Sequence, residues 1–154
     1  MIDYQRTYHM GFAVNDIKQA MDQYGKDLGL SWAEPRTFDP LPFWTPEKGN
    51  HDVLIHATYS QQGPVHFELV QGNSDFYNPG KQPDCRHFGV WVDDVTAEAE
   101  RLIAAGWQVA GAGAGPADGY GFIAYLLPPG GGAMVELVSH LLKDDIMAWI
   151  NGSD

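Results

Sequence analysis

The sequence predicts an α+β domain built from two βαβββ units, and three observations predict it. HMGFAVNDI, beginning at His9, matches HFGVWVDDV, beginning at His87, with His, Gly, Val and Asp identical 78 residues apart. FELV at Phe67–Val70 matches VELV at Val135–Val138, 68 residues apart. Between these paired segments each half carries the same order of local patterns, so one structural unit occurs twice. The unequal offsets make the first unit ten residues longer, and the excess is expected in the Pro-rich stretch EPRTFDPLPFWTPEKGN. The units are placed at about 6–73 and 84–140 of one 1–154 domain, with a final helix at about 141–151.

Each element has a local cause. After the opening strand, Asp16 stands at an N-cap position with Gln19 three residues on, and Ile17, Ala20, Met21, Tyr24 and Leu28 recur at helical intervals until Gly29. In the second half Asp94 caps, Val95, Ala99, Leu102 and Ile103 form the apolar stripe, and Gly106 ends it. Short β-type runs follow each helix: DVLIHATY and VHFELV, then WQVAGA, FIAYLL and AMVELV, separated by Gly, Pro and Asn clusters. The tail LLKDDIMAWI reads as a helix that packs or mediates dimerisation.

Strand side chains alternate between faces, and the alternation sorts the chemistry. His9 shares a face with Gly11 and Ala13, and His87 with Gly89 and Trp91, while Phe88, Val90 and Val92 turn towards the helix. In the closing strands Glu68 lies with His66 and Val70, and Glu136 with Met134 and Val138. One sheet face is therefore apolar, and the other carries two histidines and two glutamates at repeat-equivalent places. Buried carboxylates cost several kcal/mol unless paired or bound to a cation. His9, Glu68, His87 and Glu136 thus form an N2O2 set suited to one divalent ion, with Zn, Co, Mn, Ni or Fe(II) all admissible.

Nine Lys plus Arg against twenty Asp plus Glu give a net charge of −11, which repels phosphate backbones and anionic lipid. Nucleic acid and membrane are not expected as partners. No run of about 18 apolar residues occurs, and MIDYQRTYHM lacks the order of a signal peptide, so a cytoplasmic location is expected. Cys85 is the only cysteine, which rules out an internal disulfide or a thiolate cluster. GAGAGPADGYG is Gly-rich but has neither the lysine nor the strand-loop-helix context of a phosphate loop.

The two units, with histidine opening HMGFAV and HFGVWV and glutamate within HFELV and MVELV, resemble the vicinal oxygen chelate superfamily. Glyoxalase I, methylmalonyl-CoA epimerase, extradiol dioxygenases and bleomycin-resistance proteins belong to it. The resemblance spans about Tyr8 to His140 and implies that the strands form an open, cup-like mixed sheet around one central metal. It also implies a homodimer, as would exposed strand edges. The second unit looks most like the glyoxalase I and epimerase branches. Ala13 and Gly72 stand where small bacterial glyoxalase I enzymes carry Arg and Asn, and DVLIHATY offers no glutamate where epimerases carry one.

The resemblance implies a metal-dependent isomerase, epimerase or lyase that stabilises an enolate of a carbonyl or thioester substrate. Glu136 is the expected proton shuttle and Glu68 its partner from the opposite face. His66, Trp91, Phe43, Trp44 and Tyr120 are candidates to line the pocket for a small-molecule substrate. The acidic balance favours a substrate less charged than a CoA thioester. An Fe(II) extradiol-type dioxygenase and a small-molecule (antibiotic) binding protein, metal-free or metal-retaining, are the alternatives.

Overall fold

Capping places both repeat helices where the carboxylates stand. The Asp16 side chain accepts from Gln19 N–H at 3.0 Å to start α1 (Ile17–Leu28), which Gly29 ends in the left-handed region at φ 72°. Asp94 accepts from Ala97 N–H at 2.9 Å to start α2 (Val95–Ala104). The computed structural model describes residues 1–81 and 85–153; the expected start of the second unit at 84, and residue 154, lie outside the described residues.

The strands are β1 (Thr7–Ala13), β2 (Arg36–Thr45), β3 (Gly49–Tyr59), β4 (His66–Gly72), β5 (His87–Val92), β6 (Gln108–Ala112), β7 (Ile123–Leu127) and β8 (Met134–Ser139). They form one mixed sheet in the order β1-β4-β3-β2-β6-β7-β8-β5, with β5 returning to β1. Each unit contributes four neighbouring strands, its opening strand parallel to its closing one. The opening strands β1 and β5 join the units antiparallel, which generates an approximate twofold relation between them.

One expectation is corrected. The open cup is instead a closed barrel, and the closure is thin: β2 meets β6 at one position, Trp44↔Ala112. The ring also removes most of the free strand edges on which dimerisation partly rested. The Pro-rich stretch, where the extra length of the first unit was expected, supplies β2, ten residues long against five in β6. Its prolines 40 and 42 lie in β2, which pairs with β3 along its length, with a register shift between Phe38 and Leu41. Missing N–H groups cost little there because the other side of β2 pairs with β6 only at Trp44.

The core has two parts. Inside the barrel lie Tyr8, Phe43, Tyr59, Phe76, Tyr77, Trp91, Tyr125 and Met134, and α3 (Lys143–Asn151) adds Trp149 and Ile150 to it. Between barrel and α2, Val90, Val92, Leu126, Val135 and Leu137 meet Val95, Ala99 and Leu102. No helix among the described residues is long and apolar enough to cross a membrane.

Candidate metal centre

Sheet register assembles the site. One line of paired residues runs Tyr59, Glu68, Gly11, His87 across β3, β4, β1 and β5. The second runs Tyr125, Glu136, Gly89, His9 across β7, β8, β5 and β1. Each glutamate therefore reaches over a glycine to the histidine on its own line. Glu68 Oε1 lies 3.1 Å from His87 Nε2, and Glu136 Oε2 lies 3.0 Å from His9 Nε2. The glycines are required for this. A Cβ on Gly89 would lie 2.0 Å from His9 Cε1, and one on Gly11 would lie 2.2 Å from His87 Cε1 and 2.6 Å from Glu68 Oε1.

The two lines converge at the barrel centre. His9 Nε2 and His87 Nε2 are 3.0 Å apart, Glu136 Oε2 lies 2.9 Å from His87 Nε2, and one donor atom from each of the four residues falls within 4.8 Å of the others. All four residues are buried, with His9 at 0% exposure and Glu68 at 7%. His87 Nδ1 stands 2.7 Å from the Cys85 carbonyl, which only accepts, so this nitrogen donates the proton. In neutral His87, Nε2 then presents a lone pair to the cluster, the arrangement that a ring hydrogen bond imposes on metal-ligating histidines.

Two imidazoles and two carboxylates converging in the interior form a set that could hold a cation. In its absence the four groups compensate one another. Burial would lower the affinity of His87 for a proton, but contacts with Cys85, Glu136 and Glu68 outweigh burial and raise its pKa well above the ordinary value. Burial would raise that of Glu136, yet hydrogen bonds with His87 and His9 hold it down to about 2. Separations between the facing donor atoms run from 2.9 Å for Glu136–His87 to 3.7 Å for His9–Glu68. The donor set fits a divalent metal.

Tyrosines wall the centre. Tyr59 bonds Glu68, and its hydroxyl pKa is raised well above the usual value by burial first and then by the Glu68 charge. Burial, then Glu136, raises Tyr8 and Tyr125 in the same direction, so all three stay protonated. The Tyr8 ring stacks on Trp91 at 3.8 Å, and the Tyr125 ring stands edge-on to His87 at 5.1 Å. Neither Tyr59 nor Tyr125 was singled out from the sequence. Their signal was the repeat: each ends up paired with the glutamate of its own unit.

The structure separates the other expected pocket residues. Trp91 and Phe43 are inside the barrel, Phe43 against Phe76 and Tyr77. His66 lies beside His9 in the register, but its Nδ1 bonds the Ser60 carbonyl at 2.8 Å and it does not join the four-residue group. Tyr120 packs in the core beneath α2, and Trp44 packs against that same core, so neither faces the cluster. Cys85 is buried, and burial pushes its thiol up, away from the reactive thiolate form.

Comparison with known proteins agrees with this architecture. The sequence model of the Glyoxalase/Bleomycin resistance protein/Dioxygenase superfamily matches residues 8–125. Methylmalonyl-CoA epimerase from Mycobacterium tuberculosis superposes with a TM-score of 0.52 at 17% identity, covering 90% of this chain and 92% of that one. A variant of the Streptomyces coelicolor methylmalonyl-CoA epimerase, in complex with 2-nitronate-propionyl-CoA, gives 0.51 at 18%, covering 87% and 96%. A hypothetical protein from Bacillus halodurans gives 0.50 at 18%, covering 86% and 92%. No curated protein matches the sequence. At such identities the structural likeness establishes the fold.

Proposed function

This chain belongs to the Glyoxalase/Bleomycin resistance protein/Dioxygenase superfamily, and we propose that within it the protein is a metal-dependent enzyme that moves a proton on the carbon beside a carbonyl, as an isomerase, epimerase or lyase. The observation that carries the reading is the convergence of His9, Glu68, His87 and Glu136 within 4.8 Å in the barrel interior. These four would hold one divalent ion, which supplies Lewis-acid polarisation of a carbonyl oxygen. The epimerases among the structural neighbours favour this class of chemistry.

The chain's own residues then divide the work. Glu136, a buried carboxylate 3.0 Å from His9 Nε2 and 2.9 Å from His87 Nε2, is the acceptor for a carbon-bound proton. Glu68 enters from the other unit and returns a proton from the opposite side. The Tyr59 hydroxyl, fully protonated, holds Glu68 in place. The Cys85 carbonyl keeps the His87 ring in one orientation.

Deuterium uptake from D2O into 4-phenyl-2-oxobutanoate and a simple acyl thioester, followed by NMR, tests this reading. Divalent metal is expected to accelerate uptake at the carbon beside the carbonyl, with Glu136→Gln lowering the rate about a hundredfold or more. A rate indifferent to metal and to Glu136→Gln would overturn it and point to a ligand-sequestering barrel.

A further inference from the structure

Two cavities flank the single pair that closes the barrel. One of about 890 Å³ lies between the β2–β3 turn and the start of β6, and one of about 430 Å³ lies on the other side, with His51 lining both. The larger has Trp44 and Trp107 in its walls, together with Ile103 and Val109, and Phe76 lies at its inner limit. Phe76 is also part of the barrel interior: its ring is 4.8 Å from that of Tyr125, which is 5.1 Å from His87. A chain of ring contacts therefore runs from this cavity through Phe76 and past Tyr125 to His87. Phe76 comes from the segment joining the two units, outside any strand or helix, whereas Tyr125 is fixed in β7.

We propose, building on the function above, that the 890 Å³ cavity holds the non-reacting body of the substrate, that Phe76 is the gate between it and the His–Glu cluster, and that this body is apolar or aromatic and free of phosphate. The size is that of a drug-sized ligand pocket, and one part of the wall is apolar, with Trp44, Phe76, Ile103, Trp107, Val109 and Leu127, beside polar residues that include Thr45, His51 and Gln108. Ser74 also lines the cavity; the residue is half-buried, and its Oγ is itself buried with no hydrogen-bond partner among the described residues. The charges decide against phosphate. Among the described residues Lys48 is the single Lys or Arg lining the cavity, against the carboxylates of Glu47 and Asp75 in the same lining and within a chain of net charge −11. A coenzyme A moiety, such as the Streptomyces neighbour's ligand carries, would meet net repulsion there.

The test uses Co(II)-loaded protein and three probes: 4-phenylbutanohydroxamate, acetohydroxamate and propionyl-CoA. The Co(II) absorption band reports the chelating head, and tryptophan fluorescence reports the cavity. The phenyl-tipped probe is expected to bind about tenfold or more tightly than acetohydroxamate, as burial of one ring gives. Ile103→Gln and Trp107→Phe should erode that advantage at unchanged Co(II) uptake and unchanged acetohydroxamate affinity. Phe76→Ala should raise the association rate of the phenyl-tipped probe about tenfold. Equal affinity for the two hydroxamates, an advantage that survives both wall variants, or propionyl-CoA binding as tightly as the phenyl-tipped probe would each overturn the proposal. If Co(II) is not taken up, the metal reading fails separately. Fluorescence titration with 4-phenylbutyrate then still decides the cavity: quenching that Ile103→Gln weakens supports it, and no response overturns it.

Discussion

Gly89 and Gly11 illustrate how much of this site rests on what is missing from a side chain. Each leaves the space in which a histidine of one unit meets a glutamate across the sheet, and a methyl group at either would come within 2.3 Å of an imidazole atom. Gly89→Ala is expected to cost about 1–3 kcal/mol of stability, as overpacking in a dense core does, and to abolish stoichiometric metal uptake. Thermal melting with metal analysis checks both. A Gly89→Ala variant with unchanged melting and full metal would show that the histidines can be rearranged. Tyr59→Phe keeps the ring but removes the bond to Glu68, and a loss of about 1 kcal/mol is expected in denaturant titration. The titrating groups set a pH dependence whose sign follows from their shifts. His87 has a raised pKa, so its contribution to the metal-free fold is complete below its ordinary 6.5 and is lost as pH climbs through the raised value. Glu136 is depressed to about 2, so its contribution is complete above its ordinary 4.5 and is lost as pH falls towards 2. Metal-free protein should therefore gain most from the cluster between pH 4.5 and 6.5. Metal must displace the His87 proton, so its affinity should rise with pH above that window.

Among the elements, the two repeat helices were the most legible in the sequence because their causes are local. Asp16 and Asp94 each accept the hydrogen bond that their position three residues before Gln19 and Ala97 predicts. Asp94→Ala should cost about 1 kcal/mol, read from the denaturation midpoint, whereas Glu100→Ala, elsewhere in α2, should change it little. The strand parity was equally legible, since period-two alternation places His9 with Gly11 and His87 with Gly89 on one face irrespective of distant contacts. β2 was not legible. Its prolines interrupt any β-type alternation, and what makes the segment a strand is its long pairing with β3, a contact that the local pattern does not encode. The tail was legible as a helix that packs or mediates dimerisation, but not the face on which it packs. Trp149 bonds the Glu34 carbonyl at 2.7 Å and packs edge-on to Tyr59 at 5.0 Å, so α3 covers the Tyr59 side of the barrel interior. Trp149→Ala is expected to cost about 3–5 kcal/mol and to loosen Tyr59, visible as faster amide exchange at the end of β3.

At the scale of the whole molecule, duplication explains why the site lies where it does. Joining the units through β1 and β5 brings the opening strands of both halves to the pseudo-twofold axis, so repeat-equivalent residues become neighbours in space. That is why His9, Glu68, His87 and Glu136 were recognisable as a set, while Tyr120 and Trp44, selected for their aromatic character alone, sit away from it. Closure of the barrel escaped sequence reasoning because it depends on one pair, Trp44↔Ala112, between residues with no distinguishing pattern. The four-residue cluster draws on both halves of the barrel, so a cation bound there stabilises the molecule as a unit. Metal at a hundred times its dissociation constant adds about 2.7 kcal/mol, which for a domain of this size raises the melting temperature by roughly 5–10 °C. The most direct measurement is metal content by elemental analysis of protein purified without a metal-affinity step, then exposed to Zn, Co, Mn, Ni and anaerobic Fe(II), for wild type, His87→Ala and Glu136→Gln. The account predicts close to one equivalent in the wild type, lost in both variants while they remain folded. A wild type that acquires none of these ions, or variants that keep a full equivalent, would contradict it.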